Sequence, residues 1–513
     1  MRLSRHFRRA RRGDGMRLSS KHANVRTVRL SDFSGGLNTT DAIENIGENE
    51  LSTAINVEIR EGQLRVVAGD VAIYKDASAN FDAILYDSIE NEILLTDKTR
   101  KVYLLNDDRL TVKGTLTGTS EVQYAAWEDG MLIASGGKLQ YYHGGTLETV
   151  TSSPDVCRGV FIKNGRVWTF YEDILKCSAV GDETAWTEKS DDLSAAAWMQ
   201  VGYKDGGKIV GVCSLSSDTL IFKDNRRAYR LSGMYPNWSL SEIGRQIDCK
   251  GYHSCIALGQ STAVLGRDKV QAIRTTDDYG NMQASSVSQK VQQEIKELPQ
   301  TVRLRYLPKL NQVWLLSGNE TFLFFDVNVG SWYTRRYGDA VVDSIEVSGK
   351  VYILKSTGLF VLDDTINTDD GVDMLWRIKC KTLIANHNYL LKRINVDTIP
   401  LHTNYADEYI RVGHVTIPVQ QSKQARQLYQ NRAILFQNQM LLCPTPQQVL
   451  ATRSEELKSC KEPLYGSDMP LATMATYRTK TRCVDWCNSI GVSMWGSGGI
   501  TTINSISFDL AEV

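Results

Sequence analysis

Apolar and polar residues alternate in short runs along most of the chain, most cleanly between Val341 and Asp363. There the runs Ser344–Val347 and Val351–Leu354 flank Ser348-Gly349-Lys350, and a third, Leu359–Leu362, follows Ser356-Thr357-Gly358. Period-two alternation broken by Gly and Ser marks short antiparallel strands joined by tight turns. The same pattern recurs at Tyr124–Tyr142, Gly159–Leu175 and Arg305–Asp326, and more loosely at Asp82–Leu105, Ile209–Leu231 and Ser254–Ile273. Between corresponding middle strands, at Ile93, Ile133, Val167, Ile221, Leu265, Val313 and Tyr352, the spacing runs from 34 to 54 residues. A four-stranded propeller blade takes about 40–50 residues, and closing blades into a ring leaves few raw sheet edges. The pattern therefore predicts an all-β fold with a β-propeller of six or seven blades over residues 79–365, in preference to an open sandwich or two stacked all-β domains.

The remaining segments are read from the same signals. Val287, Val291, Ile295 and Leu298 recur at helical spacing, with Ser286 as N-cap, Gln289 three residues later and Pro299 as stop, which predicts an amphipathic helix packed onto its own propeller. Residues 366–373 are polar and acidic and are expected to form a solvated linker; Asp369, Asp370 and Asp373 lack the spacing of a calcium loop. From Met374 strands resume and continue to Ile500–Leu510, with a polar stretch at Gln420–Gln439, so residues 374–513 are assigned to a second, smaller β-sandwich-like domain.

Formal net charge is zero over 513 residues, but residues 1–30 hold nine Arg and Lys21 against the single acid Asp14. An acidic body thus carries a basic arm, expected to be disordered alone and able to touch phosphate or an acidic neighbour through Arg8, Arg9, Arg11 and Arg12. Met1-Arg-Leu-Ser recurs as Met16-Arg-Leu-Ser, so Met16 is a second candidate start. The ten cysteines are scattered and form no CxxC pair, the reading expected for reduced thiols in a protein made in a cytoplasm. No apolar run is long enough to cross a membrane as a helix.

Catalytic signals are sparse. The seven histidines show no HExxH or HxH spacing, GxSxG is absent, and Asp182 with Trp186 makes only a fragment of an Asp-box, once. Cys483 and Cys487 lack a second ligand pair. No enzyme activity, catalytic residue, cofactor or metal is expected. Trp127, Trp168, Trp186, Trp238, Trp314 and Trp332 fall at about one per blade, which suits blade-to-blade packing better than a sugar or nucleic-acid platform.

Between arm and propeller, residues 31–78 form a leader. It holds Phe33-Ser34-Gly35-Gly36-Leu37-Asn38-Thr39, a predicted short helix over Glu48–Ile55, and a hairpin from Asn56 to Arg65 turning at Glu61-Gly62. The order FSGGLNT, then N-E-L-x-x-A-x-N-V, then G-x-L-x-x-x-x-G resembles the leader of bacteriophage virion proteins, in particular the tail-nozzle and packaged-DNA stabilisation proteins of short-tailed phages. Phe33, Gly35, Gly36, Leu37, Asn38, Thr39, Leu51, Ala54, Asn56, Val57, Gly62, Leu64 and Gly69 carry the resemblance; the long basic arm and the absence of a proline after the last hairpin depart from it.

The resemblance implies a structural protein of the virion tail, made in the host cytoplasm. It would form a ring, with six copies expected, as a nozzle or hub below the portal or head–tail adaptor, retaining packaged double-stranded DNA and releasing it at ejection. Its partners would be other copies of itself, the adaptor, and tail fibre or needle proteins. The leader, through Phe33, Gly35, Gly36 and Asn56, would dock on its own propeller or on a partner. The competing expectation is a tail-tip propeller that binds a receptor or carbohydrate; a cellular propeller scaffold binding peptides is the third.

Overall fold

The computed structural model describes residues 25–106, 109–189, 191–275, 282–400, 407–419, 434–436, 439–441, 477–497 and 501–512. The basic cluster Arg8, Arg9, Arg11 and Arg12, and most of the polar stretch Gln420–Gln439, lie outside the described residues.

Seven four-stranded antiparallel blades form the ring, and all their strands but the fourth of blade seven follow one another from Phe81 to Asp363. Their innermost strands are Phe81–Asp87, Gln123–Trp127, Gly159–Lys163, Ile209–Leu215, Cys255–Ala257, Arg303–Leu307 and Val341–Val347. The innermost strand of blade seven packs against that of blade one, closing the ring. All seven spacing markers, Ile93, Ile133, Val167, Ile221, Leu265, Val313 and Tyr352, fall on the second strand of their blades, so the blade number is seven. Second strands are the best-covered positions, because inner and outer strands flank them and neighbouring blades cover both faces; Gly130–Ala134 and Gln312–Leu316 are buried throughout. The hairpin turns follow from local chemistry. Asn164 (φ 54°) and Gly165 (φ 65°) join Gly159–Lys163 to Arg166–Tyr171 in the left-handed conformation that two-residue turns require.

The core is a set of layers between blades. Leu85, Leu94, Met131 and Ile133 meet between blades one and two; Trp168, Phe170, Ile221 and Tyr229 between three and four; Leu354 and Leu359 against Phe81, Ile84 and Leu95 between seven and one. Each such side chain contributes about 1.5–3 kcal/mol on full burial.

Blades one to five use consecutive strands, whereas six and seven recruit distant ones. The fourth strand of blade seven is Gly69–Lys75, paired antiparallel with Gly358–Asp363. Blade six continues outward from Ser331–Arg336 through one parallel bridge, Ile55 to Thr334, into a sheet of Glu50–Ile55, Leu375–Cys380, Val492–Ser497, Asp407–Val412 and Val415–Pro418. A second sheet combines Leu383–Pro400, Tyr477–Ile490 and Thr501–Glu512 with the hairpin Val57–Arg60/Gln63–Val66 and with Val25–Leu30. One apolar cluster holds residues of both sheets and of blades six and seven, including Trp376, Ile378, Ile394, Met494 and Phe508 with Trp314, Phe324 and Tyr333.

Several expectations are corrected. Glu48–Ile55 is not helical: Glu50–Ile55 is a strand whose pairing with Leu375–Cys380 slips between Leu51 and Thr53. That bulge puts the buried residues Leu51 and Ala54 three apart, the spacing of a helix face. The strip 366–373 is not a solvated linker. Thr368–Asp369 pairs beside Gly69–Lys75, and Asp369 reaches the buried Lys355. Residues Val25–Leu30, assigned to the arm, form a strand along Thr501–Glu512. The amphipathic segment is a 3-10 turn, Gln289–Val291, followed by a helix, Gln292–Glu297. It begins after Ser288 because Met282–Ser286 is the outer strand of blade five. Val291 and Ile295 are fully buried, and the Lys290 carbonyl accepts hydrogen bonds from the Thr39 and Thr40 amides.

Candidate functional site

Two places gather chemistry-bearing residues: the leader seam and the axis of the propeller. In the seam, every leader residue proposed for interaction is engaged within the chain. Phe33 is buried in the shared core. Gly35 leaves no room for a side chain, since a Cβ there would stand 2.6 Å from Glu50 Cγ and 2.7 Å from the Asn49 carbonyl oxygen. Gly36 (φ 65°) lies against blade six, where a Cβ would stand 2.6 Å from Ser331 Cβ. Asn56 (φ 55°) joins three segments: its Nδ2 donates to the carbonyls of Arg336 (3.1 Å) and Leu375 (2.8 Å), and its Oδ1 accepts from the Arg336 amide (2.7 Å). Lys290 adds an ion pair to Glu50 at 2.8 Å.

On the axis lies a cavity of 580 Å3 lined from all seven blades, by Ile84, Tyr124, Val160, Val212, Ile256, Arg305 and Ser344 among others. Arg305 and His253 lie on its wall, and a buried ionic cluster stands behind Arg305. Asp343 on blade seven accepts Arg305 Nε at 2.6 Å and Arg305 Nη2 at 3.1 Å, and also Arg303 Nη1 at 2.9 Å. The Ser344 amide donates to the same carboxylate at 2.9 Å, so it is fully hydrogen-bonded despite complete burial. Burial alone would raise the Asp343 carboxyl, but the charges of Arg305 and Arg303 outweigh it and hold the group at about 2. Asp82 extends the network to Arg303 and Arg100, each at 3.5 Å.

Beside this cluster, His253 is almost completely buried, and its Nε2 stands 3.9 Å from Glu121 Oε2 without a hydrogen-bond partner. Burial first, then Arg303 and Arg305, push His253 well below its ordinary range, so the imidazole is neutral at pH 7. Burial raises the Glu121 carboxyl and pushes Tyr124 up to about 12. Ser344 Oγ also lacks a partner, so His253 and Ser344 do not activate one another as base and nucleophile. No cluster of His, Cys, Asp and Glu among the described residues has the geometry to hold a metal ion. The arrangement can tie blades six, seven and one together behind the cavity wall on which Arg305 lies.

Sequence reasoning did not single out Arg303, Arg305, Asp343 or His253. In Arg303-Leu304-Arg305 the alternation reads as one polar face toward solvent, and only closure of a ring turns that face inward. The tryptophans are less evenly spread than expected: Trp127 is in blade two, Trp168 and Trp186 in three, Trp238 in four, Trp314 and Trp332 in six. Trp168 and Trp238 meet across the junction of blades three and four at 4.8 Å between ring centroids. His402, Cys443 and Cys460 lie outside the described residues.

No protein-family model matches the sequence, and no curated protein matches it. Among solved structures, the chain is similar to BamB from Moraxella catarrhalis at 9% identity, over 66% of this chain and 97% of that one, with a TM-score of 0.38. It is also similar to BBS1N in complex with ARL6DN (10% identity, 58% and 97% covered, TM-score 0.39). A third similar structure is the computationally designed Ika8 protein (9% identity, 57% and 99% covered, TM-score 0.36).

Proposed function

We propose that this chain is a structural component of a phage tail, forming a ring-shaped nozzle or hub below the portal and adaptor that retains packaged DNA and lets it out at ejection. The observation that carries the reading is the leader seam. The residues that resemble the phage leader, Gly36, Leu51, Ala54, Asn56, Val57 and Leu64 among them, bind blade six and the C-terminal sheets into one continuous wall. A nozzle subunit needs such a wall, because it must pass load between neighbours without hinging. The excess of acid over base outside residues 1–30, 58 against 49, is also compatible with a channel that does not grip DNA. The partners on this reading are further copies of the chain, six being the expected number, together with an adaptor, tail fibre or needle proteins and DNA in passage.

Mass photometry and negative-stain imaging of the full chain, alone and with tail extract, test the proposal. A closed ring with a central channel, or incorporation into tails, is the expected result. A chain that stays monomeric and never joins a tail overturns it, and binding on a glycan array by that monomer would point instead to receptor recognition.

A further inference from the structure

The described cysteines are all unpaired thiols, and three of them meet where blades four and five join. Cys213 lies on the innermost strand of blade four, Ile209–Leu215. Cys255 opens the innermost strand of blade five, Cys255–Ala257, and Cys249 sits in the connection between the blades. The Cys213 thiol donates to the Ser214 carbonyl at 3.6 Å and the Cys249 thiol to the Gly251 carbonyl at 3.4 Å, and all three cysteines pack in one apolar cluster. Gly211 makes room for the sulfurs: a Cβ at this position would stand 2.9 Å from Cys249 Sγ and 3.0 Å from Cys255 Sγ. Gly211 also lies at the register slip of its strand pair, so the backbone there is displaced from the regular ladder.

Two further observations bear on what this cluster can do. Cys255 lines the axial cavity, which opens a path for small solutes. The segment between Cys249 and Cys255 delivers Tyr252 and His253 to that cavity, with the Tyr252 carbonyl accepting from Gln123 Nε2 at 2.8 Å and the His253 carbonyl from the Leu304 amide at 2.8 Å. Since no metal-holding geometry is present among the described residues, the chemistry open to the trio is that of thiols.

We propose that Cys249 and Cys255 form an oxidisable pair, with Cys213 as a third thiol able to exchange into it, and that a peroxide entering through the axial cavity converts the pair to a disulfide. One thiolate attacks the peroxide, breaking the O–O bond and leaving as a sulfenic acid while hydroxide departs and is protonated to water. The second sulfur then attacks the first, the S–O bond breaks, and a second water leaves. Two thiols and one hydrogen peroxide give one disulfide and two waters. The link staples the segment bearing Tyr252 and His253 to blade five, fixing part of the cavity wall. The neighbouring thiols of Cys213 and Cys249, and then burial, keep the Cys255 thiol protonated well above the ordinary range, so the reaction speeds up as pH rises.

Peptide mapping of the native full chain tests this directly. The protein is treated with hydrogen peroxide, remaining thiols are alkylated, and the chain is digested with trypsin without reduction. Cleavage after Arg245, Lys250 and Arg267 places the two cysteines on separate peptides, 246–250 and 251–267. The expected product is these two peptides joined, with two of the ten thiols lost to alkylation. Cys213→Ser should leave the link in place, whereas Cys249→Ser should redirect it to peptide 209–223, which carries Cys213. Ten alkylated thiols after treatment overturn the proposal, as does a link from Cys255 to Cys157 or Cys177 in equal yield. The wild-type map alone is decisive, so a variant that fails to fold costs nothing, and ring formation plays no part in the readout.

Discussion

Blade seven is held at its two edges by ionic triads of opposite composition. At the inner edge one carboxylate, Asp343, lies between two guanidiniums, Arg303 and Arg305; at the outer edge one ammonium, Lys355, lies between two carboxylates, Asp70 at 2.8 Å and Asp369. Both central groups are buried, and Lys355 also stands over the rings of Phe360 (4.0 Å) and Tyr337 (4.7 Å). The inner triad carries net positive charge and the outer one net negative. The difference sets what acid does to each. At the inner edge, Asp343 titrates below its ordinary range, so its contribution is present above pH 4 and is lost as pH falls toward 2. At the outer edge, burial outweighs the pull of Lys355 and raises Asp70 to about 6. A carboxyl raised on folding favours the native state most below its ordinary value of 3.8, and that contribution is lost as pH rises through about 6.

The largest break in this symmetry is expected from Asp343→Ala, which strands two buried arginines and should cost about 3–5 kcal/mol in urea titration. That cost should be the same at pH 5 and pH 7, because Asp343 is ionised at both. Lys355→Met should cost less, about 2 kcal/mol at pH 7, since Asp70 can take up a proton and the methionine keeps the packing. Its cost should shrink when the titration is repeated at pH 5, as Asp70 neutralises; an equal cost at the two pH values would refute the contrast between edges. Asn56→Ala, in the leader seam, should cost about 1–2 kcal/mol at either pH, from lost hydrogen bonds and a left-handed backbone forced on alanine. Asn56→Gly should recover the backbone share, and the gap between the two variants in thermal melts measures it.

The self-contained blades were legible because each is a local sentence of strands and turns, which is why all seven markers landed on second strands despite their uneven spacing. What the sequence concealed lies in pairings between remote segments. Gly69–Lys75 has no local partner and could not be assigned to blade seven. Glu50–Ile55 kept its helical disguise because a bulge imitates a three-residue period. Asp369 and Asp370 looked solvated because a run of acids usually is, yet Asp369 neutralises Lys355 and Asp370 pairs with Lys75 at 2.5 Å. Of the candidate residues, Gly36 was readable as a backbone specialist from type alone, while the left-handed backbone of Asn56 went unread and the axial cluster depended on ring closure that no local pattern encodes.

The borrowed strand of blade seven also sets an order in time. Gly69–Lys75 leaves the ribosome ahead of every blade, yet its partner Gly358–Asp363 follows only after the whole ring has been translated. At ordinary synthesis rates, that interval is roughly 15 to 60 seconds. Throughout it the nascent chain carries an unmated edge, and Val25–Leu30 waits longer still for Thr501–Glu512. The residues made early are therefore among the last to settle, and the growing chain must be shielded from its siblings until the circle shuts. Pulse proteolysis of stalled ribosomal chains should find Gly69–Lys75 cleavable until Asp363 has emerged, and Val25–Leu30 until Glu512 has.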